Sequence, residues 1–218
     1  MTLHALQEPG RRRLARWAIG GAGLLLWPPA GLADANAHAN LNANANANAN
    51  AGALAALRGG GVVLALRHAL APGTFDPPGF RLDQCGTQRN LSEDGREQAR
   101  RIGVWFRAQG LVPTAVRSSP WCRCLDTATL AFGRAERWAA LGSPAGVAET
   151  TTDEHRRERR ERLGAVHSGR GFEVWVTHMF VLADLTGENS ASGEGLVLRP
   201  ADAAGGKSAR VLARLNVG

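Results

Sequence analysis

Short apolar runs bounded by glycine or proline alternate along this chain with segments whose apolar residues recur at helical spacing. The clearest run, residues 62–66, follows three glycines and leads directly into Arg67 and His68. A second run, residues 172–177, is followed by His178. Short apolar runs between such residues are typical of buried strands. We therefore predict two strands, each delivering a histidine at its carboxyl end.

Helical spacing predicts the elements around these strands. Ser92 suits a helix N-cap with two acidic residues in the first turn, and Gly110 ends that helix. Pro120 suits the first turn of a second helix. Residues 179–185 read as a third helix and residues 195–199 as a last strand. Strands alternating with helices indicate an α/β fold.

Two stretches are less regular. Residues 69–89 form a loop of about twenty residues, rich in proline, glycine and aspartate. Because this loop leaves directly from His68, we predict that it covers or faces a substrate; its polar candidates are Asp76, Asp83, Gln88 and Arg89. Residues 139–170 carry no clear pattern, and the charge-rich part, 149–162, is predicted to be a solvated helix or a mobile surface segment.

The N-terminal residues predict export. Adjacent arginines at 11–13 precede an apolar stretch, and Ala33-Asp34-Ala35 matches a cleavage site, so residues 1–35 are predicted as a twin-arginine-like signal peptide. The alternative is an uncleaved N-terminal anchor. Residues 36–52 are predicted as a disordered Asn/Ala-rich linker, residues 53–200 as the folded domain and residues 201–218 as a tail. These features predict a periplasmic protein without a stable membrane span.

Composition narrows the classes of function. The chain has 26 basic and 19 acidic residues, and Lys207 is its single lysine. Guanidinium groups match phosphate geometry, although a GC-rich genome would also favour arginine. Basic and aromatic residues are not interleaved, so no nucleic-acid partner is expected. Three cysteines are too few for a disulfide-built fold and lack zinc spacing, so no metal or cofactor is predicted.

The candidate chemistry lies where the predicted strands and helices begin or end. Ligands of α/β sheets bind at the carboxyl ends of the strands, where Arg67, His68 and His178 are predicted. Arg123 falls in the first turn of the second helix, near backbone amides that favour anions. Our hypothesis is that His68 is a nucleophile and that Arg67 helps to hold a phosphate against it.

Over residues 62–199 the chain resembles the histidine phosphatase superfamily, the phosphoglycerate-mutase-like clan. Four motifs in order carry the resemblance: Leu66-Arg67-His68, Leu91-Ser92-x-x-Gly95-x-x-Gln98-Ala99, Ser118-Ser119-Pro120-x-x-Arg123 with Asp126-Thr127-Ala128, and Val176-Thr177-His178. The resemblance implies a three-layer sandwich with a mostly parallel central sheet flanked by helices. The glycine that follows the nucleophile in the family is Ala69 here.

The resemblance also implies the roles of the site residues. His68 would take the phosphoryl group, while Arg67, Arg123 and His178 would surround its oxygens, with His178 adding positive charge if it is protonated. Members of the family commonly carry a Glu or Asp in the third quarter of the chain as general acid. Residues 141–144 offer no such group here, so no general acid is assigned.

We therefore expect a metal-independent phosphohydrolase that removes a phosphoryl group from a small phosphomonoester through phosphohistidine on His68. One alternative is a catalytically weak or inactive phosphate-binding protein on the same fold, and another is a phosphatase of lipopolysaccharide-core sugars. Export would permit a bridge between Cys85 and Cys122, but three free thiols remain an alternative. The sequence predicts neither the substrate nor the oligomeric state.

Overall fold

A computed structural model describes residues 46–144, 149–201 and 208–217. The helices are residues 46–59 (α1), Glu93–Ala108 (α2), Cys122–Phe132 (α3), Glu149–His167 (α4) and Met179–Thr186 (α5). The strands are Val62–Arg67 (β1), Ala115–Ser118 (β2), Glu136–Arg137 (β3), Phe172–Thr177 (β4), Gly195–Pro200 (β5) and Ala209–Leu215 (β6).

The strands form one sheet in the order β3-β2-β4-β1-β5-β6. The first four strands of this order run parallel, and β5 and β6 are antiparallel to their neighbours. In the central pair, Arg67 of β1 lies opposite Thr177 of β4. Because the two strands are parallel and in register, His68 and His178 leave the sheet at the same edge.

Helices cover both faces of the sheet, because successive side chains of β1 are apolar and point to opposite faces. Val62, Leu64 and Leu66 pack in a cluster with residues of α1, α2 and α3, whereas Val63 and Ala65 pack with residues of α4 and α5. Successive side chains of a strand point to opposite faces, so a strand that is apolar throughout needs a helical layer on each side. The predicted three-layer α/β sandwich with a mostly parallel sheet is confirmed.

Two predicted boundaries need correction. The predicted tail, residues 201–218, contributes β6, which pairs with β5 along the edge of the sheet. Two of the seven residues of β6 are exposed, Arg210 and Leu212, which weakened the apolar pattern of the strand. The predicted linker, residues 36–52, overlaps α1, which is helical from residue 46. The predicted signal peptide, residues 1–35, lies outside the described residues. Among the helices that are described, none is long and apolar enough to cross a membrane.

The chain directly after His68 is held in place by α2 and α3. The Leu70 amide donates to Gln98 Oε1 at 2.9 Å, and the Ser92 amide donates to the Leu70 carbonyl at 3.1 Å. The Ala69 amide donates to Thr127 Oγ1 at 3.0 Å. Residues from two of the four sequence motifs thus anchor the turn that follows the predicted nucleophile.

Gly95 → Ala tests the close approach of α2 to this turn. A Cβ at position 95 would collide with the Leu70 carbonyl oxygen, whereas Gly164 in α4 has open space around the same position. We expect Gly95→Ala to lower the free energy of unfolding by about 1–3 kcal/mol through overpacking. The matched control, Gly164→Ala, should raise it by up to about 1 kcal/mol through helix propensity. Equal effects of the two variants in chemical denaturation would contradict the packing described.

The loop between β1 and α2 is tied to α3 by a disulfide bond. Cys85 and Cys122 are bonded across 37 residues of sequence, and Cys124 is buried and outside the bridge. Burial raises the pKa of the Cys124 thiol to about 12. Of the two cysteine states that the sequence left open, the structure contains the bridged one.

The bridge predicts one titratable thiol in denatured, unreduced protein and three after reduction. Reduction should lower the free energy of unfolding by about 2–4 kcal/mol, because the closed loop restricts the unfolded chain. Denaturation with and without reductant measures this change, and the Cys85→Ser/Cys122→Ser double variant should show no effect of reductant. Three thiols before reduction would rule the bridge out.

Candidate functional site

A pocket of about 220 Å³ opens at the edge of the sheet where β1 and β4 end. Its lining includes all four site residues predicted from the sequence, Arg67, His68, Arg123 and His178. It also includes Asp76 and Arg89, two of the four polar candidates of the loop after His68, and residues that were not predicted, among them Ser143, Phe75, Phe80 and Phe180. The structure thus brings the four predicted residues together, and their chemical roles stay predictions.

His68 presents one ring nitrogen to the pocket. Its Nδ1 lies 2.7 Å from the Ala69 carbonyl oxygen. Since a carbonyl oxygen only accepts, Nδ1 carries the proton and Nε2 carries the lone pair. Nε2 faces Arg89 Nη2 at 3.4 Å. The nitrogen that faces Arg89 is therefore the one with a free lone pair.

The surroundings of His68 keep its imidazole neutral. Its side chain is almost completely buried, and burial lowers its pKa from 6.5 to about 3, with the hydrogen bond to Ala69 opposing and Arg123, Arg89 and Arg67 adding to the decrease. Burial and like charge both disfavour the imidazolium form. A neutral imidazole is the form that attacks phosphorus.

Three arginines are held around His68 by fixed acceptors. Arg67 Nη1 donates to the Ser190 carbonyl at 2.6 Å, and Arg89 Nη1 donates to the Ala71 carbonyl at 2.5 Å. Arg123 Nη1 donates to Asp76 Oδ1 at 2.8 Å.

Within the part of the chain that is described, the buried Nε atoms of Arg67, Arg89 and Arg123 find no acceptor. Burial lowers the pKa of Arg67 and of Arg89, and the nearby Arg123 lowers that of Arg89 further. Desolvated guanidinium groups that repel one another favour an anionic ligand.

His178 lies beside His68, with ring centroids 5.6 Å apart. Arg123 Nη2 is 3.3 Å from His178 Nδ1 and only donates, so Nδ1 accepts and the proton sits on Nε2. Nε2–H donates to Ser119 Oγ at 2.8 Å. Burial, followed by the charges of Arg123 and of His68, lowers the pKa of His178 well below 6.5. His178 is therefore neutral at pH 7, and a phosphate dianion beside it would favour its protonated form.

Asp76 and Arg89 are functional candidates that sequence reasoning did not separate from other loop residues. Asp76 Oδ1 accepts from Arg123 Nη1 and, at 2.9 Å, from the Arg89 amide, while Oδ2 accepts from Trp121 Nε1 at 3.0 Å. Among the described residues, Asp76 is the only carboxylate that lines the pocket. It fixes both the loop and the orientation of Arg123.

The other two loop candidates lie elsewhere. Asp83 pairs with Arg81 in solvent, and Gln88 accepts from the Cys122 amide at 2.9 Å. Their roles are in the conformation of the loop, since neither side chain lines the pocket. An irregular loop has no periodicity from which the direction of each side chain can be predicted.

No lining carboxylate in the described ranges is free to donate a proton. Ser143, in the segment where the resemblance predicts a general acid, lines the pocket. Both oxygens of Asp76 already accept hydrogen bonds, one from the Arg123 guanidinium group and the other from the Trp121 indole. The described residues also contain no group of three or more His, Cys, Asp or Glu that would hold a metal ion.

The fold and the pocket define an α/β protein with a buried histidine in a pocket lined by arginines. A family model of the histidine phosphatase superfamily (branch 1) matches residues 64–175, just over half of the chain. The chain belongs to this superfamily, whose members are phosphatases and mutases.

Three enzymes are among the solved structures with a similar fold. The protein histidine phosphatase SixA, complexed with tungstate, is 16% identical, with a TM-score of 0.47 over 71% of this chain and 96% of its own. The α-ribazole phosphatase of Shigella flexneri is 14% identical, with a TM-score of 0.48 over 72% and 98%. The phosphoglycerate mutase of Bacillus anthracis is 12% identical, with a TM-score of 0.47 over 66% and 89%. No curated protein matches the chain.

The buried neutral histidines predict a loss of stability in acid. The folded-state pKa of His68 is about 3, below its unfolded value of 6.5, so the unfolded chain binds the extra proton as the pH falls below 6.5. Lowering the pH from 7 to 5 should cost about 2 kcal/mol of unfolding free energy through His68 alone. His68→Gln should remove this share of the pH dependence in denaturation experiments. An unchanged slope in the variant would contradict the neutral, buried imidazole.

Proposed function

We propose that this protein is a metal-independent phosphomonoesterase that works through a covalent phosphohistidine on His68. The observation that carries the proposal is the orientation of the His68 ring, with Nδ1–H bonded to Ala69 and Nε2 facing the arginines. A neutral imidazole held in this way is a nucleophile for phosphorus. The family to which the chain belongs supports phosphatase or mutase activity.

The proposed reaction has two displacements. In the first, Nε2 of His68 attacks phosphorus, an N–P bond forms, and the P–O bond to the leaving group breaks with its electron pair. In the second, water attacks phosphorus, the N–P bond breaks with its electron pair returning to Nε2, and the water loses a proton to the solvent, which releases inorganic phosphate and restores the neutral imidazole. Arg67, Arg89 and Arg123 stabilise the charge on the equatorial oxygens, and their fixed positions lower the reorganisation needed during each step.

No general acid for the leaving group is assigned among the described residues of this site. General acid catalysis is worth roughly 10²–10⁴-fold, and Asp76, the carboxylate in the described lining, already accepts hydrogen bonds on both oxygens, one of them from Arg123. The enzyme therefore suits substrates whose leaving group departs without protonation. The same observation favours a second candidate function, a phosphate-binding protein with little or no turnover.

We also propose that the protein acts in the periplasm. The predicted signal peptide, residues 1–35, motivates this placement. The bridge between Cys85 and Cys122 supports it, because disulfide bonds form and persist in oxidising compartments.

His68→Ala tests the proposed nucleophile in a chromogenic phosphate-ester assay. We expect turnover to fall by at least about 10³-fold, as is typical when the nucleophile of a covalent mechanism is removed. The matched control is His155→Ala, since His155 lies in α4 outside the pocket. Equal turnover in wild type and His68→Ala would refute the mechanism. Binding of phosphate by both proteins, with no turnover by either, would favour the binding protein.

A further inference from the structure

Phenylalanine side chains form a large part of the lining of this pocket. The chain has six phenylalanines, and three of them, Phe75, Phe80 and Phe180, line this pocket. The other three, Phe106, Phe132 and Phe172, pack together in the core beside the sheet. The pocket thus combines a cationic interior with an aromatic entrance.

Two of these rings are exposed to solvent. Phe75 is 70% exposed and Phe180 is 41% exposed. Binding a ligand that removes an apolar side chain of this size from water is favourable, because it lowers the free energy of the complex. Two such rings on one pocket that also holds arginines indicate a ligand with an anionic group and an apolar ring.

Phe75 and Phe180 lie next to residues whose backbone or side chains are held in place by contacts within the site. Phe75 precedes Asp76, whose carboxylate is bonded to Arg123, to the Arg89 amide and to Trp121. Phe180 lies in the first turn of α5, two residues after His178. Their distance from the phosphate position is therefore set by the same contacts that position the catalytic groups.

The chemistry of the leaving group provides a second, independent indication of the substrate class. A phenol has a pKa near 10, several units below that of an aliphatic alcohol, so phenolate departs from phosphorus without a general acid. The described lining of the pocket offers no carboxylate free to protonate an alkoxide. Ring recognition and an unprotonated leaving group are both properties of aryl phosphates.

We propose that this site selects phosphomonoesters of phenols, with the aryl ring held at the pocket mouth by Phe75 and Phe180. This inference rests on the proposed function and adds its substrate class. Nε2 of His68 attacks phosphorus, the P–O(aryl) bond breaks, and the electron pair leaves on the phenolate, which then takes a proton from water. Phe75 and Phe180 are specificity residues that contact the ring and not the reacting atoms.

Binding measurements test the ring site without requiring turnover. Calorimetry of the wild-type protein should give phenylphosphonate about 3- to 10-fold tighter binding than methylphosphonate, the range expected for aromatic contacts. Phe75→Ala and Phe180→Ala should each reduce this preference and leave the affinity for inorganic phosphate unchanged. Val112→Ala is the matched control, because Val112 is 79% exposed and lies on another surface. Equal affinities for the two phosphonates in wild type would overturn the proposal.

Turnover measurements test the leaving group separately. Phenyl phosphate should have a kcat/KM at least about 10²-fold above that of benzyl phosphate, which carries a similar ring on an aliphatic oxygen, because kcat/KM includes the step that breaks the bond to the leaving group. Equal kcat/KM values for the two esters would overturn the choice of phenols, while the phosphohistidine mechanism would stand. Retained turnover in His68→Ala together with a preference for phenylphosphonate would refute the mechanism and leave the ring site in place.

Discussion

The parallel, in-register pairing of β1 with β4 is the constraint on which the rest of the site depends. It brings Arg67 opposite Thr177, so the next residue of each strand, His68 and His178, reaches the same edge of the sheet. The helix after the neighbouring strand β2 adds Arg123 to that edge. Three segments that are far apart in sequence therefore share one pocket because their strands are adjacent and parallel, as is general for ligand sites of α/β sheets.

The charged residues around the pocket determine which kind of ligand it favours. The sheet edge buries two imidazoles and several guanidinium groups, and among the described lining residues Asp76 alone is negative. Removing charged groups from water is unfavourable unless partners compensate for the lost hydration. Asp76 compensates Arg123, and the remaining positive potential favours an anion and adds to the effect of burial, which lowers the pKa of His68 and keeps its imidazole neutral. The disulfide between Cys85 and Cys122 restrains the loop that carries Asp76, so a covalent bond outside the pocket supports the charge balance inside it.

The parts of the site that end regular elements could be predicted from sequence, and the parts in irregular backbone could not. His68 and His178 follow apolar runs whose strand character is evident, so their common location followed from the general rule for sheets. Asp76 and Arg89 lie in a loop without periodicity, and their direction depends on contacts with α3 that no local pattern reveals. β6 escaped prediction for a related reason: an edge strand with exposed residues lacks the continuous apolar run that marked β1.

We propose that phosphorus bonds to Nε2 of His68. The most direct test is to determine which ring nitrogen carries the phosphoryl group. Rapid mixing with an aryl phosphate, quenching in base, proteolysis and mass spectrometry would identify the modified residue, and ³¹P NMR would distinguish the two ring positions. Because Nδ1 is occupied by the hydrogen bond to Ala69, we predict the Nε2-phosphorylated isomer on His68. Phosphate on Nδ1, or on His178, would contradict the account.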